Sequence, residues 1–129
     1  ALPIFIKNNK VDMIMTAHVF NEKLDKDYPA TLSYNVNTNL LRYKLGYEGV
    51  LVSDDLQMYA ISKHYDLKQT LTLAINSGVD MLLFANQLAK PISLKQIVDT
   101  VYSQILNEEI SLDQIIKSNQ RINRMTEKY

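Results

Sequence analysis

The stretch Val50-Leu51-Val52-Ser53-Asp54-Asp55-Leu56-Gln57-Met58 joins a short apolar run to two adjacent carboxylates. The aliphatic residues predict a short buried strand. Burial of a carboxylate after such a strand is energetically unfavourable unless the carboxylate is solvated, paired with a cation or part of a functional site. In α/β folds, functional residues lie just past the carboxyl ends of strands. Asp54 and Asp55 are therefore the candidate functional residues, and their side chains are expected to point to opposite sides of the strand. The alternative is that one of them only caps the following turn.

Apolar strands and amphipathic helices alternate along the rest of the chain. Buried strands are predicted at residues 11–17, 50–53 and 79–85. This alternation, with strands buried on both faces, predicts a parallel sheet with right-handed crossovers. Helices are predicted from their periodicity and caps. The first helix covers residues 2–9, the second covers residues 33–45 with Ser33 as its cap and Gly46 after its end, and the third covers residues 67–77 with Asp66 and Gly78 at its ends. A long helix begins at Pro91 or Ser93, and Ser111 caps a last helix. Residues 19–32 are predicted to form a long polar loop, and residues 58–64 a short helix or an irregular loop.

Two of the predicted strands share a sequence pattern. Residues 8–18 align without gaps with residues 76–86, and Val-Asp-Met opens both strands. Repeated βα units favour a TIM (β/α)₈ barrel, which takes ~250 residues. The chain supplies about three βα units plus terminal helices, so this α/β protein is predicted to be the C-terminal portion of such a barrel. A free-standing three-stranded sheet would leave its edges exposed.

Polar side chains follow each predicted strand. His18 follows the first strand, Asp54 and Asp55 follow the second, and Asn86 follows the third. Because the carboxyl ends of parallel strands lie on one face of the sheet, we expect these residues to converge there, as they do in a barrel active site. For His18, a structural histidine that is satisfied by its neighbours is the favoured interpretation from the residues alone. The aspartates of the two Val-Asp-Met motifs lie at the opposite strand ends and are predicted to be structural.

The composition argues against several classes of protein. Lys+Arg and Asp+Glu both number 14, which speaks against a broad surface for nucleic acid or acidic membranes. The absence of Cys excludes disulfides and thiolate chemistry, and with two His no metal site or cofactor is predicted. No apolar run approaches the ~20 residues of a transmembrane helix. The basic residues near the C-terminus are interpreted as a solvated helix face, and they are Lys117, Arg121, Arg124 and Lys128.

Several segments together resemble a known family. They are Met13-Ile14-Met15-Thr16-Ala17-His18-Val19, Pro29-Ala30-Thr31-Leu32-Ser33, Leu40-Leu41-Arg42, the stretch from Leu45 to Met58, and Ala74-Ile75-Asn76-Ser77-Gly78-Val79-Asp80-Met81-Leu82-Leu83. In this order and spacing they resemble the C-terminal part of the catalytic domain of family 3 glycoside hydrolases, of the bacterial β-N-acetylhexosaminidase type. The resemblance covers residues 2–86 well and the last two helices loosely.

This resemblance implies a retaining β-N-acetylglucosaminidase built on a TIM barrel. The family's nucleophile is the first Asp of Ser-Asp-Asp, which maps onto Asp54 and would form a glycosyl-enzyme intermediate. Asp55 and Met58 would shape the site, and His18 and Asn86 are further candidates for binding the sugar. The implied substrate is an amino-sugar glycoside with terminal β-linked N-acetylglucosamine, for example from cell-wall muropeptides.

One part of the family pattern has no counterpart in this sequence. The family's general acid/base is a His paired with an Asp, in a Lys-His-Phe-Pro-Gly-His-Gly segment that precedes the Met-Ile-Met-Thr-Ala-His strand. Residues 1–129 are therefore predicted to be a C-terminal fragment of a single barrel domain. The fragment is expected to be inactive alone and able to self-associate through its open sheet edges.

Other functions remain open at this point. A β-glucosidase-type or xylosidase-type hydrolase of the same family is one alternative, although that branch usually has a Trp after the nucleophile and this sequence has no Trp. A non-catalytic half-barrel interaction module is another. No nucleic-acid or membrane partner is expected. A cytoplasmic location is predicted from the lack of Cys and of a visible signal sequence.

Overall fold

Short strands and longer helices alternate along the chain in a computed structural model, which describes residues 1–87 and 90–129. The elements are α1 (Leu2–Lys7), β1 (Met13–Met15), a 3₁₀ turn (Ala30–Leu32), a wide helix of the π type (Asn35–Lys44), β2 (Val50–Val52), α2 (Tyr59–Ser62), α3 (Leu67–Ser77), α4 (Leu94–Leu106) and α5 (Leu112–Thr126). None of the helices within the described ranges is long and apolar enough to cross a membrane.

The sheet is parallel, as predicted, but smaller than predicted. β1 pairs with β2 in a register that places Met13 opposite Val50 and Met15 opposite Val52. The prediction of a regular third strand at residues 79–85 is wrong, because only a single bridge, between Val52 and Met81, continues the sheet. Beyond this bridge, the N–H groups of Leu83, Ala85 and Asn86 donate to side chains that follow β2 rather than to backbone carbonyls. An interrupted ladder of this kind keeps the segment extended beside β2 without making it a strand.

The sheet buries one face more completely than the other. The face that contacts the helices carries Leu51, which packs in one apolar cluster with Leu41 and Val79, and Ile14 packs against this cluster. The opposite face carries exposed methionines, with relative exposures of 42% for Met13, 57% for Met15 and 36% for Met81. The prediction of burial on both faces is confirmed at Val50 and Leu51 of β2, which are both 0% exposed, and is wrong for β1. An apolar sheet face of this composition suits contact with further protein.

The predicted caps place the helix ends correctly. At the start of α3, the Asp66 carboxylate accepts a hydrogen bond from the backbone N–H of Gln69, whose side chain accepts one from the Asp66 N–H, so a capping box forms. Gly78 ends α3 with φ +113°, a left-handed conformation that favours glycine. Ser93 and Ser111 cap α4 and α5 through their hydroxyl groups. These confirmed caps show that local sequence fixes the helices of the second half.

The helix predicted at residues 33–45 is confirmed in position but differs in winding. The Ser33 hydroxyl accepts a hydrogen bond from the Val36 N–H at 3.0 Å, as the predicted cap requires. The helix spans Asn35–Lys44 and is wound wider than an α-helix, with the Leu45 N–H bonded to the Leu40 carbonyl five residues back. Its buried side chains are Asn37, Thr38, Leu41 and Arg42. The three polar ones bond Ser77 and Gly78 and so anchor the helix to the end of α3. The buried polar positions were not predicted by the apolar pattern.

A buried ion cluster joins the wide helix to α5 below the sheet. The Asp80 carboxylate, whose side chain is 0% exposed, lies 2.8 Å from a guanidinium nitrogen of Arg42 and 2.8 Å from one of Arg121. It also accepts hydrogen bonds from the Leu51 N–H and the Ser118 hydroxyl. Burial lowers the pKa of Arg42, an effect that the charge of Asp80 opposes. The C-terminal basic residues are thus not all on a solvated face, because the Arg121 side chain is only 13% exposed and is paired with Asp80.

Candidate active site

Hydrogen bonds tie the carboxyl ends of β1 and β2 to the end of the third extended segment. From the β1 side, the imidazole of His18 reaches the backbone carbonyl of Asp55 at 2.7 Å. From the third segment, the Ala85 N–H donates to the Asp55 carboxylate at 3.1 Å, and the Asn86 N–H donates to the Gln57 side chain at 2.7 Å. The predicted convergence of His18, Asp54–Asp55 and Asn86 on one end of the sheet is therefore present in the structure.

Asp54 is the more accessible of the two adjacent carboxylates. It is half-buried, and one carboxylate oxygen accepts a hydrogen bond from the backbone N–H of Asp55 at 2.8 Å. This bond leaves the other carboxylate oxygen without a hydrogen-bond donor among the residues that the structure describes. A carboxylate held in this way at a strand end stays oriented and keeps one oxygen free to react or to bind a ligand.

Asp55 is buried and shapes the turn. Its relative exposure is 8%, and one carboxylate oxygen accepts hydrogen bonds from the backbone N–H groups of Gln57 at 3.0 Å and Ala85 at 3.1 Å. The first bond closes a turn of the Asx type, and the second holds the third segment against the end of β2. The capping role considered for one of the two carboxylates is thus carried out by Asp55. Its predicted contact with substrate stays a prediction.

His18 has both ring nitrogens engaged by protein groups. Nε2 lies 2.7 Å from the Asp55 carbonyl oxygen, and Nδ1 lies 2.9 Å from the Thr31 hydroxyl. Thr31 is itself buried and lies 2.9 Å from the Thr16 hydroxyl. The polar loop after β1 thus returns to brace the strand end, and the arrangement matches the alternative of a satisfied structural histidine. The predicted sugar contact of His18 stays a prediction.

A pair of amide side chains closes the site on the side of the third segment. Gln57 is buried, and its amide nitrogen donates to the Asn86 side-chain oxygen at 2.8 Å. Asn86 adopts φ +55°, a left-handed conformation that Asn tolerates better than most residues. Its side chain also bonds the backbone of Ile92, so it closes a loop. The role of Gln57 was missed, because nothing in the local pattern distinguishes this Gln from a solvated residue.

The remaining predicted site residue, Met58, lies at the start of α2 and is exposed. It follows the turn that Asp55 closes, so its side chain is available at the rim of the site. Tyr47, which is close to Asp54 in sequence, lies elsewhere: its hydroxyl donates to the Val50 carbonyl at 2.7 Å, at the start of β2. Burial raises the pKa of Tyr47 to about 12. Within residues 1–87 and 90–129, no group of three or more His, Cys, Asp or Glu side chains is arranged to hold a metal ion.

A half-buried carboxylate after a parallel strand, surrounded by residues from neighbouring strand ends, is typical of enzymes with parallel α/β folds. Comparison with known proteins identifies which of these enzymes are related to the chain. Residues 4–125 match the family model described as glycosyl hydrolase family 3 N terminal domain. The chain belongs to this family, and the resemblance found in the sequence is confirmed.

Several of the relatives are named β-hexosaminidase or β-N-acetylglucosaminidase. Beta-hexosaminidase A of Pseudoalteromonas piscicida is 34% identical over 122 residues, which cover 81% of this chain and 20% of that protein. A glycoside hydrolase family 3 β-N-acetylglucosaminidase from Paenibacillus sp. str. FPU-7 is 34% identical with a TM-score of 0.84, covering 98% of this chain and 23% of that one. The β-N-acetylglucosaminidase from Thermotoga maritima is 26% identical with a TM-score of 0.80, covering 92% of this chain and 26% of that one. The chain thus spans about a quarter of the length of these relatives.

Proposed function

We propose that the full-length protein containing this chain is a retaining glycosidase that releases terminal β-linked N-acetylglucosamine, with Asp54 as the nucleophile. The observation that carries the proposal is the accessible, oriented carboxylate of Asp54 at the end of β2. The similarity to β-N-acetylglucosaminidases supports the substrate class. Cell-wall muropeptides are the proposed source of the sugar. A cytoplasmic location, and the lack of nucleic-acid and membrane partners, stay predictions.

The proposed reaction takes place in two displacements. In the first, the free oxygen of Asp54 forms a bond to the anomeric carbon while the glycosidic C–O bond breaks and the leaving oxygen takes a proton from a general acid. In the second, water attacks the anomeric carbon, its proton goes to the same acid/base group, and the ester bond to Asp54 breaks. Two inversions retain the β configuration.

The general acid is proposed to come from outside residues 1–129. His18 has both ring nitrogens bonded to protein groups. His64 is exposed and follows α2 in the sequence. Neither lies in a segment like that of the family's acid/base. Because removal of a general acid costs ~10²–10⁴-fold in rate, the 129-residue chain alone is proposed to be inactive.

The chain is further proposed to be the C-terminal part of a single (β/α)₈ barrel. The exposed methionine face of the sheet (Met13, Met15 and Met81) would then point into the barrel interior, where apolar side chains pack in layers. Closure of the barrel would also cover the free edge of β1, which is a site for self-association when it is open.

The full-length protein with Asp54→Gly tests the proposal. On a chromogenic β-N-acetylglucosaminide, we expect kcat to fall by at least ~10³-fold, as for loss of other catalytic nucleophiles. Azide added to the variant should restore turnover and yield the α-glycosyl azide, because the small anion attacks the face from which Asp54 was removed. Asp99→Asn is the matched control, since this carboxylate is exposed on α4.

The outcomes separate the alternatives. Wild-type activity in Asp54→Gly would overturn the assignment of the nucleophile. An unchanged dependence on Asp54, combined with preference for a β-glucoside over the N-acetylglucosaminide, would instead favour the β-glucosidase-type function. Labelling of Asp54 by a slowly reacting 5-fluoro N-acetylglucosamine analogue, located by mass spectrometry, identifies the residue directly.

A further inference from the structure

A chain of hydrogen bonds leads from the buried end of β1 to the turn that carries Asp54. The Thr16 and Thr31 hydroxyls lie 2.9 Å apart, and the Thr31 hydroxyl lies 2.9 Å from Nδ1 of His18. Nε2 of His18 lies 2.7 Å from the carbonyl oxygen of Asp55. Thr31 is 0% exposed, and its backbone carbonyl accepts hydrogen bonds from two buried side chains, Asn37 and Ser77. The relay therefore starts from a rigid part of the core.

The chemistry of the groups sets the direction of each hydrogen bond. A backbone carbonyl only accepts, so Nε2 of His18 carries a hydrogen and donates it to Asp55. In the neutral imidazole, Nδ1 is then the acceptor, and the Thr31 hydroxyl donates to it. Since each hydroxyl has a single hydrogen, the Thr16 hydroxyl donates to Thr31. The relay holds His18 with a hydrogen on Nε2, which is donated to the Asp55 carbonyl.

The Asp55 residue that accepts the His18 hydrogen bond is held by hydrogen bonds at its backbone N–H, its carbonyl and its carboxylate. Its N–H donates to the Asp54 carboxylate at 2.8 Å, and its carboxylate accepts from the backbone N–H groups of Gln57 and Ala85. Its carbonyl accepts from His18 at 2.7 Å and from the Met58 N–H at 3.1 Å. Of these contacts, only the one to His18 comes from the β1 side. The Met58 bond, and a bond from the Leu56 N–H to the Leu83 carbonyl at 2.9 Å, keep the turn closed without His18. Loss of the His18 bond therefore removes the tie between this turn and β1, so the turn shifts relative to β1 together with the Asp55 N–H that orients the Asp54 carboxylate.

We infer that His18 is a positioning residue that orients Asp54 through the backbone of Asp55, rather than a residue that binds the sugar. The inference rests on the proposed function of Asp54. A displacement of ~1 Å in a reacting group costs ~10²-fold in rate, so the contribution of His18 is expected in the rate of bond formation to the sugar. The affinity for the sugar ring is expected to be unaffected.

Two substitutions at His18 in the full-length protein isolate the donor. His18→Gln retains an amide N–H close to the position of Nε2, whereas His18→Asn reaches Thr31 and falls short of Asp55. On the chromogenic N-acetylglucosaminide, kcat/KM is expected to fall ~10–100-fold in His18→Asn and to stay within ~3-fold of wild type in His18→Gln. Inhibition by free N-acetylglucosamine is expected to change less than ~2-fold in both, because it reports ground-state binding. His64→Asn, at the exposed second histidine, is the matched control.

The results that overturn the inference are distinct. Equal kcat/KM in the two His18 variants would show that the donor to Asp55 does not matter. A ~10-fold or larger weakening of N-acetylglucosamine inhibition would place the imidazole against the sugar instead. If His18→Asn does not fold, nitrogen chemical shifts of ¹⁵N-labelled His18 in the wild-type protein decide, since an Nδ1–H tautomer contradicts the relay.

The failure of this inference is distinguishable from failure of the proposed function. The tautomer is measured without turnover, and the role of Asp54 is measured by Asp54→Gly with azide. Loss of activity in Asp54→Gly together with wild-type behaviour of both His18 variants would reject only the positioning role. Full activity in Asp54→Gly would reject the proposed function whatever the His18 variants do.

Discussion

Replacement of Asp80 by Asn is expected to destabilise the domain more than any exposed carboxylate change. The Asp80 side chain is 0% exposed and lies 2.8 Å from guanidinium nitrogens of both Arg42 and Arg121. Both of its oxygens also accept hydrogen bonds, one from the Leu51 N–H and one from the Ser118 hydroxyl. An Asn side chain has one accepting oxygen, so its NH₂ group would face a guanidinium donor. Removal of one partner from a buried ion pair costs about 3–5 kcal/mol, and this is the loss expected in the free energy of unfolding.

Urea unfolding of the full-length protein, followed by circular dichroism, measures this loss. The control Asp99→Asn disrupts an exposed ion pair with Lys95, whose side chain is 85% exposed, and is expected to cost less than ~1 kcal/mol. Arg121→Met should lower the cost of Asp80→Asn, because it removes one of the two uncompensated charges, with a coupling of ~1–3 kcal/mol. A loss below ~1 kcal/mol in Asp80→Asn, or strict additivity with Arg121→Met, would refute the reasoning.

Two further predictions concern backbone conformation and pH. Gly78→Ala should lower the free energy of unfolding in urea by ~2 kcal/mol or more, since φ is +113° and an added Cβ would lie 2.6 Å from the Thr38 hydroxyl oxygen. The control Gly46→Ala, with φ +75° and no atom within 4 Å of the added Cβ, should lower it by only ~1 kcal/mol. Equal losses in the two variants would contradict the steric argument. Burial of Asp25 would raise its pKa, but hydrogen bonds from the Ser33 hydroxyl and two backbone N–H groups outweigh burial and hold the pKa below its ordinary value of 3.8. The stability that Asp25 contributes is therefore present above pH ~3.8 and is lost as pH falls through the lower folded-state pKa. The thermal unfolding midpoints of wild type and Asp25→Asn, measured from pH 6 to pH 2, should therefore converge at the acid end. A constant difference between the two midpoints would contradict this.

The sequence predicted the elements whose ends depend on local chemistry. α3 has the predicted bounds, because Asp66 and Gly78 supply its cap and its left-handed end within a few residues of the helix. β2, predicted at residues 50–53, spans Val50–Val52, because an apolar run followed by polar residues is a local signal. The strand predicted at residues 11–17 is confirmed in position, but β1 is shorter and spans only Met13–Met15. For the candidate site, the convergence of three chain segments followed from parallel topology alone.

The features that the sequence did not predict depend on contacts between distant parts of the chain. Asp80 and Arg121 are separated by 41 residues, so the buried pair could not be distinguished from two solvated charges. The helix at Asn35–Lys44 buries polar side chains that bond Ser77 and Gly78, more than 35 residues away along the chain. Periodicity of apolar residues carries no information on polar groups that are buried because a partner is present in the fold.

The two Val-Asp-Met segments show how context overrides local sequence. The first leads into β1, which begins at Met13, and its aspartate, Asp12, is bonded by Lys128 and Tyr129 at the surface. The second carries Asp80 in the buried ion cluster and makes only one bridge to β2. Beyond the bridge, the Leu83 N–H donates to the Ser53 hydroxyl at 2.9 Å rather than to a backbone carbonyl. The Asp55 and Gln57 side chains accept from the next N–H groups along this segment, those of Ala85 and Asn86. Side chains that follow β2 thus take the place of backbone carbonyls as acceptors and hold the third segment beside Asp54.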